Sequence, residues 1–149
     1  LNYTFVQDNH SRSQKGTLRG LHLQLPPHGQ TKLVRCLAGE IYDVVVDIRP
    51  HSPSFGKWAS FSLSQENKKL LLVPQGFAHG IYIVSDVAEV HYKCDALYNP
   101  NSEISIVWND PDFNIKWPFE NDSPLLSQKD QNGISFSSFL KDYPNLEWT

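Results

Sequence analysis

Short apolar runs separated by turn residues fill the chain up to Asn121, and none of them keeps the spacing of a helix face. Leu33–Leu37 reads as a strand, Ala38-Gly39-Glu40 as a tight turn and Ile41–Ile48 as the returning strand. Alternation in that second strand sets Tyr42, Val44, Val46 and Ile48 on one face and Asp43, Asp47 and Arg49 on the other. Pro50 and Pro53 end it, because proline cannot donate to a ladder. Further strands are expected at Trp58–Leu63, Leu70–Val73, Gly80–Val84, Val87–Cys94 and Ile104–Trp108, with Ser85-Asp86 as a hairpin turn. The tail from Ser123 holds one short helical pattern around Ser135–Lys141. Many short strands with regular turns predict an all-β sandwich or barrel.

Polar residues placed within this pattern suggest chemistry. His22 lies in Leu18-Arg19-Gly20-Leu21-His22-Leu23-Gln24, with Lys32 shortly beyond. An imidazole titrating near neutrality can take a carbon-bound proton, and flanking cations can hold the charge its removal leaves. That pattern suggests proton abstraction beside a carbonyl on an anionic substrate. Tyr92 shares a strand face with Ala88, Val90 and Cys94, so its phenol is expected inside the protein, where it can serve as an acid or as an ordinary core tyrosine. Arg35, Asp43, Asp47 and Arg49 read most simply as solvent-facing or interstrand charges.

The bulk numbers narrow the classes. A chain of 149 residues with 40% hydrophobic composition supports one domain, and 19% charged residues is low enough to suggest extensive burial. A net charge of −3 gives no general attraction for nucleic acid or membrane surfaces, and no apolar run is long enough to span a bilayer. The two cysteines, Cys36 and Cys94, read as buried reduced thiols of a cytoplasmic protein.

Pro74-Gln75-Gly76-Phe77-Ala78-His79 has the form PxGxxH, and Gly16 precedes His22 in the form Gx₅H. The pair resembles the two motifs of the cupin barrels, many of which bind a metal. Here the first motif reads His22-Leu23-Gln24 with no glutamate following closely, a poor ligand set, so no metal is expected. Gln7-Asp8-Asn9-His10-Ser11, LRGLHLQ, KLVR, Val46-Asp47-Ile48-Arg49, PQGFAHG, Tyr92-Lys93 and Trp108-Asn109-Asp110-Pro111, in this order, resemble the dTDP-4-dehydrorhamnose 3,5-epimerase family, a cofactor-free cupin branch. The resemblance runs from Val6 to about Pro118, with an echo at Leu126-Ser127-Gln128-Lys129-Asp130.

That resemblance implies a cupin-type jelly-roll barrel with a short helical tail, one domain over residues 1–149 whose N-terminal part is missing, and a homodimer in the cytoplasm. It implies epimerisation of a dTDP-4-keto-6-deoxy sugar at C3 and C5 without cofactor. His22 would be the base, Asp130 its orienting carboxylate, Tyr92 the acid on the opposite face and Lys32 the cation at the C4 enolate oxygen. Arg19, His79 and Tyr98 would touch substrate, and Gln7, Asp8, Asn9, Glu103 and Lys129 would hold the nucleotide-sugar. Strict alternation sets Arg19 opposite His22, so these roles require a bulge near Gly20. A single-centre epimerase, a ketoisomerase on the same substrate class and a non-catalytic nucleotide-sugar binder are the alternatives.

Overall fold

A computed structural model describes residues 2–119 and 123–148. Ten strands and two short helices occur in the order β1 (Gln7–Gln14), β2 (Thr17–Gln24), β3 (Lys32–Ala38), β4 (Glu40–Asp47), β5 (Trp58–Ser64), β6 (Leu70–Val73), β7 (Phe77–Ile83), β8 (Val87–Cys94), β9 (Glu103–Ser105), β10 (Leu125–Leu126), α1 (Gln128–Gln131) and α2 (Phe136–Asp142). One sheet has the order β1-β8-β3-β6. The other runs β10-β2-β7-β4-β5, with β9 also paired to β2. Among the described strands all pairings are antiparallel except the short one between β10 and β2. The two sheets face each other as the sandwich that the strand pattern predicts, in the cupin-type arrangement that the family resemblance implies.

Both faces of the second sheet are covered, and this explains the unbroken Val44-Val45-Val46 run in β4. Ile41 and Val45 point between the sheets, packing with Val34, Ile81, Ile83 and Val90. Val44, Val46 and Ile48 point outward, where Phe113, Phe136 and Phe139 cover them. The tail therefore completes a second core. Ser135 caps α2 by accepting the Ser138 N–H, which fixes where that helix starts.

Two expected connections differ. Ala38–Glu40 joins β3 to β4, and Ser85-Asp86 joins β7 to β8, but in each case the strands lie in different sheets. These are arches between the sheets, not hairpins. They pack on one another: the Glu40 N–H donates to Ser85 Oγ at 2.8 Å and the Val84 N–H to the Glu40 carbonyl at 3.1 Å. Gly39, at φ +76°, makes this possible, because a Cβ there would collide with the Val87 carbonyl and the Ser85 hydroxyl. Strand β7 also starts earlier than expected, so His79 lies on a strand, and β9 is shorter. Residues 2–6 precede the first strand.

Of the two readings of Asp43 and Asp47, solvent-facing or interstrand charges, the solvent-facing one is overturned, since they are 0% and 1% exposed. Asp43 does pair across strands, with His79 on β7. Asp47 ends β4 and organises the loop beyond it. It accepts the Arg49 N–H at 3.0 Å, both arms of the Arg49 guanidinium at 2.9 and 2.7 Å, and the hydroxyls of Ser52 and Ser54 at 2.5 and 2.6 Å. Burial alone would push its carboxyl up, but these donors outweigh burial and hold it well below the usual carboxylate range. Because the folded value lies below the unfolded one, this stabilisation is complete above about pH 4 and is lost as the pH falls further. Asp47→Ala is expected to cost about 2–3 kcal/mol, read as a lower urea midpoint with unchanged slope. A midpoint within experimental scatter of the parent would refute the organising role.

Candidate active site

A cavity of roughly 420 Å³ opens between the sheets. The first sheet supplies Gln7, Asn9, Lys32 and Tyr92 to its wall, and the second supplies Arg19, His22, His79 and Glu103. Tyr98, from the loop after β8, and Lys129, from α1, complete the rim, and Val34, Ile81 and Val90 form an apolar floor. Ten of the twelve residues singled out from the sequence thus meet around one space. Asp130 stands behind His22, and Asp8 is not brought to the cavity. Alternation along β1 turns Gln7 and Asn9 inward and Asp8 outward, where it pairs with Lys93 at 2.8 Å.

The expected bulge brings Arg19 and His22 to the same space. The β2–β7 register shifts between these two residues, at Gly20 with φ +131°. A Cβ on Gly20 would lie 2.6 Å from the Gly80 backbone, so only glycine permits this close approach. Arg19 is steadied by two bonds to the Ser13 hydroxyl, from Nε at 3.1 Å and Nη2 at 3.0 Å.

His22 Nε2 donates to Asp130 Oδ1 at 2.5 Å, which leaves Nδ1 as the ring nitrogen free to act as a base. Asp130 is 3% exposed and also accepts the Gly20 N–H at 3.2 Å and the Ser127 hydroxyl at 2.6 Å. Burial moves the His22 imidazole below its ordinary value, more than Asp130 raises it, so the ring is neutral at physiological pH. Burial raises Asp130, but the donors from His22, Ser127 and Gly20 prevail and keep it ionised. The tail reaches this position because β10 pairs with the start of β2, Leu125 opposite Thr17 and Leu126 opposite Leu18.

Tyr92 faces the cavity from the opposite sheet. Its hydroxyl has no hydrogen-bond partner among the described residues, and burial raises its pKa, so the phenol keeps its proton. The Lys32 ammonium has no carboxylate within ion-pair distance among the described residues, and burial lowers it from the ordinary lysine value. A half-buried cation and a protonated phenol both facing one cavity are groups available to a ligand. At the rim, Glu103 accepts from Lys129 at 2.8 Å and from the Tyr98 hydroxyl at 2.9 Å. Burial raises Glu103, but these two donors outweigh it and lower its pKa.

Sequence reasoning missed Asp43. Its carboxyl group accepts His79 Nε2 at 2.9 and 3.0 Å, forming a second histidine–aspartate pair beside His22 on the neighbouring strand. The signal was present, because Asp43 alternates with Ile41 and Val45, which are themselves core residues. Gln24, at the place of a metal ligand in the cupin motif, spends its amide on the carbonyls of His28 and Leu97 and the N–H of Asn99. No group of three or more His, Cys, Asp or Glu side chains suited to a metal occurs among the described residues. Cys36 and Cys94 are buried free thiols. None of the described helices is long and apolar enough to cross a membrane.

Comparison with known proteins gives the same picture. A family model described as dTDP-4-dehydrorhamnose 3,5-epimerase matches residues 1–138. The enzyme of that name from Shigella flexneri is 57% identical over 132 residues, 89% of this chain and 72% of its own length. The one from Escherichia coli strain K12 is 49% identical over 138 residues, 93% of this chain and 74% of its own. The crystal structure of a dTDP-6-deoxy-D-glucose-3,5-epimerase from Legionella pneumophila Philadelphia 1 in complex with dTDP-4-keto-L-rhamnose superposes with a TM-score of 0.87 at 50% identity, covering 92% of this chain and 72% of that one. A 3′-monoepimerase from Streptomyces bikiniensis in complex with dTDP-quinovose superposes with a TM-score of 0.87 at 34% identity, covering 95% and 71%. With these matches over most of its length, the chain belongs to the dTDP-4-dehydrorhamnose 3,5-epimerase family.

Proposed function

We propose that the chain epimerises a dTDP-4-keto-6-deoxy-glucose at C3 and C5 by taking each proton with His22 and returning one from Tyr92. The observation that carries this reading is the placement of a neutral, carboxylate-backed imidazole and a protonated phenol on opposite walls of one cavity. Inversion at carbon needs a base on one face of the sugar and an acid on the other. The 4-keto group acidifies both neighbouring carbons, and the enolate oxygen that forms on abstraction meets the Lys32 ammonium. Such an oxyanion partner contributes about 2.7–4 kcal/mol to the barrier. The chemistry therefore needs no metal or organic cofactor.

Arg19 and His79 flank the reacting end, and Gln7, Asn9, Tyr98, Glu103 and Lys129 hold the nucleotide end. The reading includes a cytoplasmic homodimer, as the family resemblance implies. Light scattering tests the assembly, and a monomer at working concentration counts against it.

The reading is tested by incubating the keto sugar with the protein in D₂O and following both carbons by NMR. Deuterium at C3 and C5 with inversion at both is expected. Deuterium at C3 alone makes the protein a single-centre epimerase, and tight binding with no exchange makes it a binder.

The titrations set the pH dependence of kcat/KM. His22 must be neutral to act, and its pKa lies below the ordinary imidazole value, so the acidic limb is expected below about pH 6.5. Lys32 must be charged, and its lowered pKa places the alkaline limb below about pH 10.4. An acidic limb above the free imidazole value would contradict the base assigned here.

A further inference from the structure

We propose that Ser127 is a positioning residue for catalysis, holding the outer oxygen of Asp130 so that the inner one stays on His22. The proposal rests on the reading of His22 as the base. Ser127 makes two bonds to the same residue: its hydroxyl donates to Asp130 Oδ2 at 2.6 Å and accepts the Asp130 N–H at 3.2 Å. The first acts on the carboxylate and the second caps α1. Together with the Gly20 N–H on Oδ1, they fix the carboxylate plane relative to the imidazole.

The position of Ser127 explains why a donor is needed there. Asp130 and Ser127 both line a second, open pocket of roughly 650 Å³, with Arg12, Thr17 and Arg19. The Ser127 hydroxyl occupies Oδ2 at that wall. Without the hydroxyl, the carboxylate can turn toward the pocket or draw water in. Turned away, it stabilises the imidazolium less, so the His22 ring titrates lower.

Glycine is a tolerated N-cap residue, so Ser127→Gly removes the hydroxyl with little harm to α1. Threonine keeps both the hydroxyl and the cap. In the full chain, Ser127→Gly is expected to lower kcat about tenfold with KM nearly unchanged, as expected for loss of a hydrogen bond to a charged group. The acidic limb of its kcat profile is expected to move down by about half a pH unit, because a carboxylate that turns away no longer supports the imidazolium. Ser127→Thr should restore both. Should glycine prevent folding, Ser127→Ala read against Ser127→Thr makes the same comparison.

NMR titration of the His22 ring in the free protein reads the same shift without turnover, so the proposal is judged even if the protein epimerises nothing. An unmoved imidazole titration in the folded glycine variant overturns the proposal, and so does wild-type kcat or failure of threonine to rescue. If water simply replaces the hydroxyl, both readouts stay at wild type and the proposal fails by that route. Loss of exchange by the parent protein instead overturns the proposed function, whatever the titration shows.

Discussion

Replacing His22 by asparagine is expected to stop deuterium entering the keto sugar at both C3 and C5, with a fall in exchange rate approaching about 10⁴-fold. Asparagine is a demanding choice because it preserves so much. Asp130 keeps the Gly20 and Ser127 donors, so the buried carboxylate is not stranded when the Nε2 donor is lost. His22 is 20% exposed at its side chain and lies at the cavity wall, so the fold loses little packing. What disappears is a nitrogen able to take a proton near neutrality. If exchange survives at one carbon, a second base exists, and His79, paired with Asp43 on the adjacent strand, is the group to examine. A variant that binds the nucleotide-sugar with parental affinity yet exchanges nothing separates chemistry from binding.

Most of the barrel, and the inward placement of Tyr92, could be read from the sequence because both rest on local pattern. Alternation along β8 set Tyr92 with Ala88, Val90 and Cys94, and the structure turns that face inward. The roles that the family resemblance gives Arg19 and His22 required a bulge between them, and Gly20 supplies it. Strand β1 was not visible as a strand. Gln7, Asn9, Ser11 and Ser13 face inward, yet none is apolar. Three of them line a wet cavity, and Ser13 holds Arg19, so the usual hydrophobic signature of an inward face is missing.

The arches failed for a different reason. A short turn between two strands looks the same in sequence whether the strands pair or part, and partner choice here is long-range: β3 lies between β8 and β6, and β4 between β7 and β5. The solvent-facing reading of Asp43 failed, and the interstrand one held, because one charged residue in a strand buried on both faces looks like a solvent position until the neighbours Ile41 and Val45 are placed. Asp130 lies in a loose polar stretch, and only the two-residue pairing of β10 with β2 carries it to His22. The family resemblance, not the residues around it, pointed to that contact.

Tyr92→Phe is expected to divide the reaction at a different point. The phenol makes no hydrogen bond among the described residues, so its loss strands no partner, and the ring keeps its packing against the core around Val34 and Val90. Folding stability should therefore change little. His22 can still take the C3 proton, exchange it for solvent deuterium and return the deuteron to the face it came from. Deuterium should appear at C3 at a rate within about tenfold of the parent, while inverted product falls by about 10²–10³-fold. The NMR spectrum should then show labelled sugar of unchanged configuration, which the parent does not accumulate. Water reaching the vacated site would restore inversion slowly and raise its solvent isotope effect. Equal, complete loss of exchange and inversion would mean that Tyr92 serves the abstraction step itself, and the assignment of base and acid to opposite sheets would be wrong.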